Sequence, residues 1–217
     1  LISLIGGRIT PSFTRNWLAR ENPGRLPTPF ARFDMLTIAV SAIALLCWII
    51  WPTGSETGGT LALAGIMHLI RLGRWAGDRT MRERLLLILH IGYLFLPLGF
   101  LLGACGAFGV VPASAGIHAW MVGATGVMTL AVMSRATLGH TGQQLTASVA
   151  TQAIFTSILV AAVARICAIL DPAYSVPLLH VAALTWGTAF LGFAASFGPV
   201  LLGFEKRKKV PAIGNPD

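Results

Sequence analysis

Charge is scarce in this chain. Eight of its 217 residues are Asp or Glu, and charged side chains make up 11% of the whole, against ~25% in soluble domains. So little polar surface cannot cover a water-facing globule, and lipid is the solvent to expect. The scarcity of carboxylates also leaves no acid–base pair in view. Glu56, Asp78 and Glu83 fall in loops or at helix ends, and enzymatic turnover stays open. The three cysteines, Cys47, Cys105 and Cys167, lie in or beside apolar runs, which excludes a disulfide scaffold. They read as small hydrophobes, the alternative being thiolate ligation of copper(I). Strict apolar/polar alternation is missing, which excludes a membrane β-barrel. An initiating methionine is missing too. The opening "LISLIGG" is too short for a signal peptide, and its charge follows rather than precedes it. It reads as the end of an earlier helix, with the chain as the C-terminal part of a longer protein.

What is present is hydrophobicity: 55% of the residues and a mean hydropathy of +0.74. Apolar stretches lie at 34–51, 59–75, 84–104, 117–138, 146–170 and 176–203, most of them near the ~20 residues that span a bilayer. Lipid offers bare backbone no partners, so these stretches are helices. The expected fold is all-α, a polytopic transmembrane bundle of about six spans over 34–203. A cytoplasmic segment at 1–33 precedes it and a basic cytoplasmic tail at 204–217 follows. The second stretch is the weakest, because its apolar core is short and holds His68.

The formal net charge of +8 would suit nucleic acid in a soluble protein. Here its placement argues otherwise. The loops at 52–58, 105–116 and 171–175 contain no Lys or Arg. The basic residues collect at 8–32, at 71–84, at Arg135 and at 206–209, and of all sixteen Arg165 alone falls inside a later span. That asymmetry predicts six spans with both termini cytoplasmic, and it explains the basic balance without nucleic acid. Gly99 and Gly103 in the third span, and Ala119 and Gly123 in the fourth, are small pairs that permit close helix contact. Pro97 should kink the third span.

The five histidines all lie in or beside these spans. An imidazole in lipid is costly unless it faces a partner, a cavity or a metal. Its neutral nitrogen suits iron, copper or zinc. His68, His90 and His140 share the basic leaflet, while His118 and His180 share the other. Rings on facing helices at one depth could clamp a metal, so His68, His90, His118 and His180 are metal or haem candidates. The plainer reading is a histidine bonded to a neighbouring helix. His90, Tyr93 and Pro97 recur on one helical face, which makes Tyr93 a candidate to support a ligand or bond to His90. Arg165 either snorkels to the interface or pairs with an anionic ligand such as a haem propionate. In "MSRATLGHTGQQL" (133–145), Arg135 and His140 sit where the fourth span leaves the membrane, as entrance or anion-binding candidates.

The segments "GGRITPSFTRNWL" (6–18), "HIGYLFLPLGFLLGA" (90–104) and "HAWMVGATGVMTLAVMSRATLGHTG" (118–142) resemble the NnrS family. Members are longer polytopic proteins of the bacterial inner membrane, and this chain would match their C-terminal half. The resemblance implies haem and copper as cofactors and a part in nitric oxide tolerance during denitrification, with nitric oxide as ligand. It assigns no metal ligands, and part of a ligand set could belong to a missing N-terminal half. Two other readings stand beside it: a small-molecule or ion transporter or channel subunit, and a cytochrome-b-like electron-transfer subunit.

Overall fold

The computed structural model describes residues 1–203, and the expected basic tail at 204–217 lies outside the described residues. Every regular element among the described residues is helical. A π-helical turn, Ile2–Gly6, runs directly into α1, Gly7–Glu21. Then come α2, Arg32–Ile50; α3, Ser55–Gly73; and α4, Arg84–Ala107. They are followed by α5, Ser114–His140, which contains a π-helical stretch at Ala119–Gly126. Finally come α6, Val149–Leu170, and α7, Ser175–Leu201.

Among the described residues five helices, α2 and α4 to α7, are long and apolar enough to cross a membrane. The weakest of the six expected stretches, α3, is long enough but not apolar enough. Glu56, a Thr-Gly-Gly-Thr run, His68 and Arg71 lower its hydropathy. The chain is thus a polytopic helical bundle in which α3 stands apart chemically.

One helix of the bundle, α2, is turned inside out relative to a helix of a soluble protein. On α2 the buried positions are Asp34, Thr37, Ser41 and Ala44, while Ile43, Leu46, Ile49 and Ile50 face outward. The buried positions recur at i, i+3 and i+7, one face of a helix. On α3 the buried Leu61, Ala64, His68 and Arg71 follow the same period. Polar residues point in because lipid cannot satisfy them, and aliphatic ones point out because lipid does not penalise them.

The central helix is α4, buried along most of its length. It meets α5 through small residues, since a Cβ on Gly116 would stand 2.7 Å from the carbonyl oxygen of Gly99 and 2.8 Å from the Gly103 nitrogen. The expected small pair of α4 is therefore used, with Gly116 as its partner, while Gly123 packs on Phe95 instead. Pro97 lies within an unbroken α4, and the indole of Trp120 donates to the neighbouring carbonyl of Leu96 at 3.0 Å.

The segment expected to precede the bundle is helical and packs onto it. Thr14 lies against His90, and Phe13 lies 4.5 Å beneath the Arg135 guanidinium. The loop after α1 is held to the end of α3 by the Thr28 N–H, which donates to the Arg74 carbonyl. At the end of α5, Gly142 takes φ +70°, and Gln143 N–H reaches the Leu138 carbonyl at 2.9 Å. This is a Schellman closure, which favours glycine at that position.

Candidate functional site

At the basic end, four helical segments converge on one buried guanidinium. Arg71, on α3, is fully buried. Its Nε donates to Asp34 Oδ1 on α2 at 2.8 Å. Its Nη1 donates to the Ser3 carbonyl at 2.8 Å and to the Tyr93 hydroxyl on α4 at 3.0 Å. Asp34 Oδ2 accepts the Ala31 N–H, capping α2, and also faces Arg74 at 3.4 Å. One carboxylate thus ends a helix and neutralises a buried cation. Arg71 Nη2 has no partner. Its space is set by Gly7, where a Cβ would stand 2.5 Å away.

From Tyr93 the hydrogen bonds continue inward. Tyr93 Oη lies 2.9 Å from His68 Nδ1, His68 Nε2 lies 2.9 Å from Ser41 Oγ, and Ser41 Oγ donates to the Thr37 carbonyl at 2.7 Å. Donor counting orders the chain. The single Ser41 proton goes to a carbonyl, which can only accept, so Ser41 accepts from His68 Nε2–H. His68 Nδ1 is then the acceptor for the Tyr93 O–H. Every donor between Arg71 and Thr37 is matched, and His68 is the neutral Nε2–H tautomer. Its ring stacks on Phe100 at 5.5 Å.

His90, one turn before Tyr93 on α4, follows a different pattern. Its Nδ1 lies 3.0 Å from the Leu86 carbonyl and must donate there. Its Nε2 therefore carries a lone pair. That atom lies 3.5 Å from Thr14 Oγ1, whose own proton goes to the Thr10 carbonyl at 2.8 Å. The contact to Nε2 is thus the long one of 3.5 Å, weaker than either contact of His68. The space beside it is narrow, since a Cβ on Gly77 would stand 3.1 Å from Nε2.

The remaining candidates lie apart from this cluster. His118 is half-buried near the start of α5, with Arg165 of α6 as its charged neighbour. His180 is exposed on α7, and His140 is exposed at the end of α5. Arg135, expected at an entrance, lies over the Phe13 ring. Tyr93 supports His68 and Arg71 rather than His90. The three cysteines are free and half-buried.

The implied haem and copper can be tested against these donors. Both His68 nitrogens are occupied, so a clamp by His68 and His90 does not fit. No group of three or more His, Cys, Asp or Glu side chains that could hold one metal ion occurs among the described residues. His90 has the hydrogen bonding of a metal ligand, Nδ1–H on a backbone carbonyl and Nε2 only weakly held, but Thr14 and Gly77 close around it.

Asp34, Arg71 and Ser41 were not singled out in the sequence, although signals for them are there. Asp34, Thr37 and Ser41 put a polar face on an apolar stretch, and Arg71 follows His68 by three residues. Arg71 passes in the sequence for one more interfacial arginine.

A family model described as NnrS protein matches residues 1–204. No curated protein and no solved structure matches the chain.

Proposed function

The chain belongs to the NnrS family, and on that premise we propose that it is a haem-binding membrane protein of nitric oxide tolerance, with copper as a second cofactor. In this reading the membrane is the bacterial inner membrane and the basic end is cytoplasmic. Haem iron or copper would supply the site that takes up nitric oxide.

The reading is supported by the family match over residues 1–204, and the imidazoles narrow where a ligand would come from. His68 is committed to the polar chain. His90 holds its Nε2 only at a long 3.5 Å from Thr14 Oγ1, and His118 and His180 lie toward the surface at the opposite end. These three are the ligand candidates that remain. Since the described residues form no complete metal-binding group, the set needs further donors. In this proposal a further stretch of the same protein supplies them.

The test is an absorption spectrum of the purified protein, oxidised and reduced, with metal analysis and then nitric oxide. A haem band that shifts on adding nitric oxide is expected. Single Ala substitutions at His90, His118 and His180 separate ligand from bystander by bleaching or shifting that band. His68→Ala should weaken the fold while leaving the band in place. A folded, colourless, copper-free protein overturns the cofactor proposal.

A further inference from the structure

One cavity of about 370 Å³ opens at the basic end, between α1, the following loop and the beginning of α2. Gly7, Phe30, Asp34 and Trp75 line it, and each of them also touches or faces the Arg71 guanidinium. Asp34 pairs with it. Phe30 and Trp75 lie against it at 5.9 and 5.5 Å. Gly7 places no side chain beside Nη2, and a Cβ there would stand 2.5 Å from that atom. The Arg71 guanidinium thus lies buried behind these lining residues rather than in the cavity wall itself.

Arg8 and Arg15 line the same cavity. Arg8 is exposed, and its guanidinium lies 5.8 Å from the Phe30 ring. Arg15 is half-buried and gives one Nη to the Pro27 carbonyl, which leaves its other N–H groups for a ligand. Asp34 neutralises Arg71, with its two oxygens taken by Arg71, Arg74 and the Ala31 N–H, so Arg8 and Arg15 supply the charge that faces an incoming group. Two arginines, Arg8 and Arg15, thus line a space with apolar walls of proline and aromatic rings. Guanidinium N–H groups facing such a space are natural donors to the oxygens of an anion.

We propose that this cavity is a binding site for a phosphate group. Arg8 and Arg15 contact the phosphate oxygens. The apolar walls and the position at the basic end suit the phosphodiester of an anionic phospholipid. A free phosphate would use the same donors.

The test uses the full chain. Native mass spectrometry after release from nanodiscs of phosphatidylglycerol and phosphatidylcholine reads the lipid source. Melting in detergent with and without inorganic phosphate reads the soluble one. Wild type should retain one phosphatidylglycerol in preference to phosphatidylcholine. Arg8→Gln and Arg15→Gln should each weaken that retention about tenfold, as expected when a charge-assisted hydrogen bond is lost. Arg82→Gln, at an exposed arginine outside the cavity, should leave it unchanged. A phosphate-dependent rise in melting temperature that Arg8→Gln abolishes, without lipid retention, supports the site with a soluble ligand. Equal lipid retention in all three variants, with no phosphate effect on melting, overturns the proposal.

Discussion

The α2–α3–α4 cluster and the α6–α7 hairpin are both all-helical, yet they are held together differently. In the first, side chains bond across helices: Asp34 to Arg71, Arg71 to Tyr93, Tyr93 to His68 and His68 to Ser41. In the second, the hydroxyls turn back on their own helix. Thr156 donates to Gln152, Thr185 to Val181 and Thr188 to Leu184. The hairpin packs through Ile158, Ala161, Phe193 and Phe197, all buried apolar residues. Lipid tails are as apolar as these side chains, so such packing gains dispersion but little hydrophobic drive. A matched polar chain adds register, because a shifted helix would leave buried donors unmet.

The sharpest way to break this contrast is to remove one member of the buried ion pair. Asp34→Ala leaves Arg71 charged and enclosed, and costs about 3–5 kcal/mol. Thermal unfolding in detergent would show it as the largest destabilisation of the series. Removing both partners, Asp34→Ala with Arg71→Leu, should recover much of the loss. A double variant no better than the single one would mean that the pair is not coupled.

Next in size is a steric change on the other side of the comparison. A Cβ on Gly126 would stand 2.8 Å from the Trp186 ring of α7, so Gly126→Ala should cost about 1–3 kcal/mol through overpacking. The same melting experiment measures it. A neutral result would show that α7 is free to shift and that its packing is looser than the contacts suggest.

A matched pair of hydroxyl deletions then compares the two regions directly. Ser41→Ala strands the His68 Nε2–H and should cost about 1–2 kcal/mol. Thr188→Val removes a hydroxyl that serves its own helix and should stay within about 0.5 kcal/mol. Equal effects in unfolding would erase the distinction between the regions.

The same distinction explains what could be read from the sequence. Helical class, the apolar stretches and the grouping of basic residues at one end follow from composition, and the structure brings Phe13 to Arg135 and Arg25 to Asp78 at that end. The use of Gly99 and Gly103 was also legible, because small residues carry their packing role locally. The polar chain was not. Spacing puts Asp34 and Ser41 on one face of α2, but it cannot say which face of α3 they meet. His68 and His90 lie at similar depth, yet one has both nitrogens occupied and the other holds its Nε2 only at a long 3.5 Å. That difference depends on where the single protons of Ser41 and Thr14 go. Depth is written in sequence, whereas proton direction is set by tertiary contact.

The smallest effect lies outside both regions and marks where cross-linking by charge ceases to matter. Arg25 donates to Asp78 at 2.6 Å between the loop after α1 and the turn after α3. This hydrogen bond holds the Asp78 carboxyl below its ordinary pKa. A carboxyl whose folded pKa is lowered contributes stability above its unfolded value, about pH 4. The contribution is lost as the pH falls through the lower folded value. Both side chains are more than half exposed, at 55% and 64%, so solvent screening limits the pair to less than about 1 kcal/mol. Asp78→Asn should therefore flatten a shallow acid-side decline in melting temperature and change little at neutral pH. If it instead destabilised the protein at pH 7 as much as Asp34→Ala, burial would not be what separates the two ion pairs.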